Sequence, residues 1–151
     1  MGFQIDLLTG IAAHLHAGNV GMWSPTNVYG VDDVAITIDQ LPIGSEGTPK
    51  GPDKAIAMTL YPVTDSGSTD SVIGMQLRIR GARNNRATVK DIADRAFDAL
   101  HDLQAVDLGG IPLVRAWRQS GANLPPDDNN RQHASENYYL QVTRTGTNRR
   151  D

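Results

Sequence analysis

Apolar residues recur along this chain with two different periods, and the changes of period divide it into elements. In FQIDLLTGIAAHLHAG, Phe3, Leu7, Leu8, Ile11 and Leu15 fall on one face at helical spacing, and Gly18 stands where such a helix would stop. The following NVGMWSPTNVYGVDD is rich in Gly, Pro and Asn and predicts a loop carrying Trp23 and Tyr29. The period then drops to two. VAITI puts Val34, Ile36 and Ile38 on one side of a short strand, and AIAMTLY does the same with Ile56, Met58 and Leu60. Between them Pro42 to Asp53 is dense in Gly and Pro, an exposed connection, and Pro62 is expected to end the second strand.

SVIGMQLRIR alternates most clearly: Ile73, Met75, Leu77 and Ile79 face one way, Gln76, Arg78 and Arg80 the other. With AIAMTLY it predicts an antiparallel hairpin whose loop, Asp65 to Asp70, is long. The helical period returns at Thr88 and Asp91, which are spaced as a capping box. Val89, Ile92, Ala93, Ala96, Phe97, Leu100 and Leu103 then make one apolar stripe on a helix ending near Leu103. AVDL and IPLVRAWRQ flank Gly109-Gly110 as a second hairpin, and NYYLQVTR is a last strand, with Tyr138, Leu140 and Val142 toward the core and Tyr139 on the outer side. The closing GTNRRD reads as a frayed tail. Strands joined by turns rather than helices give an α+β fold, an antiparallel or mixed sheet of about five to six strands with two main helices packed on one face.

One stretch breaks both periods. Residues 120–134 set Pro125-Pro126, Asp127-Asp128 and Asn129-Asn130 side by side and lead into Tyr138-Tyr139. Such a polar run is long for a connection inside a compact domain, and it predicts an arm or loop that orders on meeting a partner. Leu124, Pro125, Pro126, Asp127 and the outward Tyr139 are its candidate contact residues, because tyrosine brings apolar area and a hydroxyl at low entropy cost.

Composition narrows the function classes more than the fold. The 151 residues fit a single domain, 1–151, large enough for a core, and 39% hydrophobic with 5% aromatic content makes that core aliphatic. A formal charge of −3 and a pI near 5.7 speak against coating nucleic acid through the overall field. The absence of cysteine excludes a disulfide framework, a thiol nucleophile and a thiolate zinc site. No apolar run approaches the ~20 residues of a membrane span. No basic segment precedes Asp6, as a signal peptide would need, and Asp6 also stands where N-myristoylation requires Ser or Thr.

The search for chemistry finds little. His14 and His16 are two apart on a helix and point in different directions, and His101 and His133 stand alone. Ser45 misses the nucleophile elbow because Ile43 replaces the required glycine, and Asp127 to Asn130 lacks the alternation of a calcium loop. No catalytic residue, cofactor site or metal site is expected. Asp91, Asp94, Asp98 and His101 share the polar side of the second helix, a solvated face that could otherwise bind a metal or serve as acid and base. Arg78, Arg80, Arg83 and Arg86 form one basic patch in an acidic chain. Without interleaved aromatic residues it suits carboxylates better than bases, so those arginines are expected to meet Asp94 and Asp98 of a neighbouring copy.

GFQIDLLTGIAAHL, AIAMTLYPVTD with DSVIGMQLRIRG, VKDIADRAFDALHDL, IPLVRAWRQSG and ENYYLQV, in this order and spacing, resemble the tail terminator proteins of long-tailed bacteriophages, also called tail completion or minor capsid proteins. The resemblance covers nearly the whole chain and rests on packing signatures, not catalytic motifs. It implies a non-enzymatic virion protein without cofactor, made in the host cytoplasm and placed in the tail at the head–tail junction. It further implies a homo-oligomeric ring, expected to be a hexamer, that caps the tail tube, ends its polymerisation and meets the head-side connector, or stopper. The major tail tube protein would be its other partner, with only incidental contact to DNA in the lumen. A tail-tube or other connector subunit is the nearest rival reading, and a small hydrolase or ligand-binding domain using the Asp91, Asp94, Asp98 and His101 face is a more distant one.

Overall fold

The computed structural model describes residues 2–150, so Met1 and the last residue of the predicted tail, Asp151, lie outside the described residues. The elements run α1 (Phe3–Ala17), β1 (Met22–Trp23), β2 (Ala35–Ile38), β3 (Ala55–Thr64), β4 (Asp70–Arg83), α2 (Arg86–Leu100), β5 (Gln104–Leu108), β6 (Ile111–Leu124) and β7 (Arg131–Thr143). They build one sheet in the order β1-β2-β3-β4-β7-β6-β5, with β1/β2 and β2/β3 parallel and the rest antiparallel. The fold is α+β with a mixed sheet, as expected, but with seven strands rather than five to six. The extra strand is β1, inside the predicted loop. Two residues are too few to show alternation; pairing with Ala35 and Ile36 and a 3.0 Å hydrogen bond from the Trp23 N–H to His16 Nδ1 hold it.

Alternation works as read in the central strands. Ile56, Met58, Ile73, Met75, Leu77, Ile79, Tyr138, Leu140 and Val142 all lie in one buried cluster with Leu7, Ile11 and Leu15 of α1 and Val89, Ile92, Ala96 and Leu100 of α2. Each fully buried aliphatic side chain contributes about 1.5–3 kcal/mol relative to exposure. α2 lies on β4, β7 and β6, whereas α1 touches β1 and β2 at one end of the strand order and β5 and β6 at the other. The sheet therefore curls around α1. Two glycines permit the closest approach: a Cβ on Gly10 would overlap the Gly109 backbone, and one on Gly109, at φ +63°, would overlap the Asp6 carbonyl.

Four boundaries differ from the sequence reading, each for a local reason. β3 continues through Pro62 to Thr64, because β2 pairs only as far as Met58 and leaves Pro62 on a free edge that needs no N–H. Asn85, not Thr88, caps α2 by accepting the Ala87 N–H at 3.0 Å, while Thr88 Oγ1 accepts the Ala82 N–H at 2.8 Å. α2 stops at Leu100 rather than Leu103, where Asp102 turns to φ +61°. The tail does not fray within the described residues: Arg149 Nε donates to Ser68 O at 2.6 Å and the Arg150 N–H to Gly67 O at 2.9 Å.

The largest difference is the expected long arm at 120–134. Ser120 to Leu124 pair with Asn137 to His133 as the outer part of the β6–β7 hairpin, leaving only 125–130 as a connection. Exposed Ser120, Gly121, Ala122 and Asn123 bury no alternating apolar face, so the strand shows no period-two signal there.

Candidate interaction surfaces

The polar residues that sequence reasoning scattered over three segments meet at the start of β7. Arg131, with 5% of its side chain exposed, reaches Asp53 Oδ1 at 2.9 Å, Glu46 Oε1 at 3.0 Å and Asp127 Oδ2 at 2.8 Å. Arg80 donates through Nε to Asp53 O at 2.6 Å and through Nη2 to Pro52 O at 3.2 Å. Arg83 pairs with Glu46 at 2.9 Å. His133 completes the chain of contacts: its Nδ1 accepts from Arg78 Nε at 3.3 Å, which leaves the proton on Nε2, 3.0 Å from Asp127 Oδ2. Burial alone would raise the three carboxyls, but the donors outweigh it. The Ser45 N–H and Arg131 lower Asp53, the Glu46 backbone N–H with Arg131 and Arg83 lowers Glu46, and His133 with Arg131 holds Asp127 far below the usual range. The network ties the 42–53 connection and the β6–β7 turn to the end of β4.

This arrangement corrects the expectation for the arginine patch. Arg78 hydrogen-bonds His133, Arg80 hydrogen-bonds backbone carbonyls and Arg83 makes ion pairs, all within their own chain, and of the four only Arg86, exposed in the first turn of α2, has neither a side-chain hydrogen bond nor an ion pair among the described residues. Asp127, expected on the outside of an arm, is a member of the network. Leu124 is half-buried opposite His133, and Pro125 and Pro126 are exposed in the turn. Arg131, His133, Glu46 and Asp53 were missed. The signal existed: the alternation of NYYLQV, extended backward, puts residues 131, 133 and 139 on one face.

Across the outer face of the sheet, the register aligns Tyr61, Gly74, Tyr139 and Trp117 on β3, β4, β7 and β6. The Tyr61 ring lies over Gly74 in the space a Cβ would fill, and its hydroxyl donates to Asn137 Oδ1 at 3.3 Å. Tyr139 meets Trp117 edge to face at 5.9 Å, and Arg115 stands 5.2 Å above the Trp117 ring. Tyr138 is fully buried and Tyr139 half-buried, the assignment read from alternation. Both helices pack on the opposite face, so among the described elements no helix covers this row.

On the helix side, an open groove of about 710 Å³ runs between α2 and β6 and is lined by Ala93, Asp94, Arg118, Gly121, Ala134 and Glu136 among others. Glu136 has 13% of its side chain exposed, and its nearest cation, Arg118 Nη1, is 3.8 Å away. Burial raises the Glu136 carboxyl above its ordinary range, Arg118 opposes the rise and Asp94 adds to it. Tyr138 beside it has a buried hydroxyl without a hydrogen-bond partner. The four polar residues expected on α2 do not converge. Asp91 pairs with Arg95 at 3.1 Å, and His101 stacks on Phe97 and accepts the Arg118 N–H at 3.1 Å. Asp94 and Asp98 are exposed with no ion pair, and no group of three His, Asp or Glu is placed to hold a metal, both among the described residues.

Comparison with known proteins adds two findings. The family described as bacteriophage tail terminator protein matches residues 46–144, from Glu46 of the network to the residue after β7. Among solved structures, a chain of the virion of a native gene transfer agent particle is similar in fold, with a TM-score of 0.54, 15% identity, and coverage of 71% of this chain and 78% of that one. No curated protein matches the sequence.

Proposed function

The chain belongs to the bacteriophage tail terminator family, and from that premise we propose that it caps the tail tube as a closed ring. It is a structural protein of the virion tail, and such a component meets other tail or head proteins. The finer reading is that copies form a ring, expected to be hexameric, without catalysis or cofactor. The ring ends polymerisation of the tube protein on one side and offers the other side to the head connector. The whole chain acts as one domain, supported by the single core that both helices share with the sheet.

The observation that carries this reading is the family match, which spans every element from β3 to β7. The outer aromatic row supports it physically. Tyr61, Tyr139, Trp117 and Arg115 are the residue types that dominate interface energetics, gathered on a sheet face without a helix over it. Of the residues proposed at subunit or partner contacts, Arg86, Asp94, Asp98, Pro125, Pro126 and Tyr139 are exposed or half-exposed without being held in the Arg131 network, whereas the equally accessible Arg78, Arg83 and Asp127 are engaged in it. A hydrolase or ligand-binding role for α2 has less behind it, since Asp91 and His101 are already engaged. Electron microscopy of the purified protein with and without tube protein tests the reading. A single closed ring that blunts tubes at constant length is expected; extended stacks would transfer the protein to the tube-subunit reading, and a monomer at every concentration would overturn the ring.

A further inference from the structure

β6 is longer than its neighbour. β5 pairs with it only from Ile111 to Arg115, two backbone bonds join Ala116 to Asp102 and Leu103, and His101 takes the Arg118 N–H. Beyond that point, among the described residues, β6 has no strand on its outer side up to Leu124. An unpaired edge of this kind is a template for another extended chain, and natural edges are commonly blocked by Pro or Lys, neither of which occurs in RQSGANL. The edge opens onto the groove, whose walls include the small Ala93 and Ala134 and whose charged groups are Asp94, Glu136, Arg118 and Lys90. Within the groove Glu136 pairs with Arg118 at 3.8 Å and lays its carboxylate over Gly121, whereas Asp94 is exposed and makes no ion pair among the described residues.

The other end of the strand order has the opposite character. The loop after β1 and the connection between β2 and β3 line a shared hollow that includes Trp23, Val28, Ile43 and Lys50. Val28 is 72% exposed, Val31 54% and Ile43 69%, the three most exposed large apolar side chains described. Lys50 is exposed and makes no hydrogen bond or ion pair among the described residues. One end thus offers apolar knobs and a free cation. The other offers a groove walled by Ala93 and Ala134, a free strand edge and, in Asp94, an exposed carboxylate without an ion pair among the described residues. Unlike surfaces on one subunit join head to tail, and a head-to-tail contact that closes gives a ring.

We propose that the groove between α2 and the free edge of β6 receives the loops around Val28 and Lys50 of a second copy of this chain. Lys50 then pairs with the unpaired Asp94, while Val28 packs beside Ala93 and Ala134. This assignment rests on the ring reading and specifies which surfaces close it.

The cysteine-free chain allows a direct test. Lys50→Cys and Asp94→Cys in one chain, treated with a short bis-maleimide, are expected to give a ladder of covalent oligomers that ends at the ring. Either single variant is expected to give none. In parallel, Lys50→Glu and Asp94→Lys are each expected to raise the concentration for half-assembly by about tenfold or more, and the double reversal to bring it back, measured by mass photometry. Circular dichroism checks that each variant remains folded. If the wild-type chain forms rings but the double-cysteine variant yields no ladder, or if the rings are indifferent to both reversals, the proposed contact is overturned while the ring reading stays intact. A wild-type chain that never assembles fails the ring reading itself.

Discussion

β7 carries two polar regions on its two faces, and they differ in how completely they are satisfied. At its start, Arg131 and His133 sit among Glu46, Asp53 and Asp127, with ion pairs of 2.8–3.0 Å; the buried Arg83 Nε beside them makes no hydrogen bond but stands 3.5 Å from Asp53 Oδ2. Along its middle, on the other face, Glu136 has one cation at 3.8 Å and Tyr138 a buried hydroxyl with no partner. In sequence both are ordinary mixtures of charge and aromatic residues. The first works within the fold, fastening two irregular connections to the sheet. In the second, Glu136 lines a groove and the Tyr138 hydroxyl lies in the core beneath it.

The comparison is broken most directly by removing the centre of the satisfied region. Arg131→Met keeps length but leaves three carboxylates without their shared cation, and breaking a buried pair in this way costs about 3–5 kcal/mol. For a chain of this size the expected fall in the thermal midpoint is on the order of 10 °C, read by calorimetry. Asp98→Lys on exposed α2 is the matched control, expected to change stability by less than about 0.5 kcal/mol. Equal small effects from both would mean that the network does no more than a solvated surface. The same reasoning limits work on the hairpin tip: replacing Asn123 to Gln132 would delete both Asp127 and Arg131, so loss of assembly in such a variant would report unfolding.

Acid titration separates the two regions by sign. Glu46, Asp53 and Asp127 titrate below their ordinary range in the folded chain. Their stabilising contribution is therefore complete above the range in which unfolded carboxyls titrate, about pH 4, and is lost as the pH falls through it toward the folded values. Glu136, raised instead, destabilises the fold when ionised, and its contribution improves as the pH falls from its raised value to the ordinary one. With Asp102, which hydrogen bonds from Gln104 and Arg115 also lower, four groups against one make the wild-type midpoint fall on acidification below about pH 4. Arg131→Met is expected to flatten that fall. Glu136→Gln is expected to keep it, with a slightly higher midpoint at neutral pH. A lower neutral midpoint for Glu136→Gln would show that its contact with Arg118 outweighs its burial and the nearby Asp94.

What was legible in the sequence follows the same division. Strands that bury one face declared themselves, because Ile73, Met75, Leu77 and Ile79 must all point into one core. The outward Tyr139 followed from the same period. The hairpin beyond Ser120 was hidden because no core lies beneath it to impose alternation. Arg78, Arg80 and Arg83 looked like an external patch because their partners are distant in sequence: His133 for Arg78, the Pro52 and Asp53 carbonyls for Arg80, and the Glu46 and Asp53 carboxylates for Arg83, brought to them by the β2–β3 crossover and the β6–β7 turn. Local charge density identified a polar cluster correctly but could not say whether its partners lay inside the chain. Glu136 gave no signal, since one glutamate before two tyrosines becomes informative only once Asp94 stands across the groove.

The smallest effect tests the unsatisfied region at its most buried atom. The Tyr138 hydroxyl lies in the core without a partner, and burial pushes the phenol far above its ordinary range, with Glu136 adding to the rise. A hydroxyl stripped of water and given no hydrogen bond costs about 1–3 kcal/mol, whereas its ring retains the full benefit of burial. Tyr138→Phe removes only the oxygen and leaves a cavity smaller than a methyl group. The expected outcome is a midpoint unchanged or raised by a few degrees, with the denaturant slope unaltered. Tyr139→Phe on the outer face, whose hydroxyl is not buried, is expected to leave stability unchanged, so the difference between the two variants isolates the buried group. A clear loss of stability in Tyr138→Phe alone would mean that the hydroxyl is hydrogen-bonded in solution, and the groove side of β7 would then be as fully satisfied as the Arg131 side.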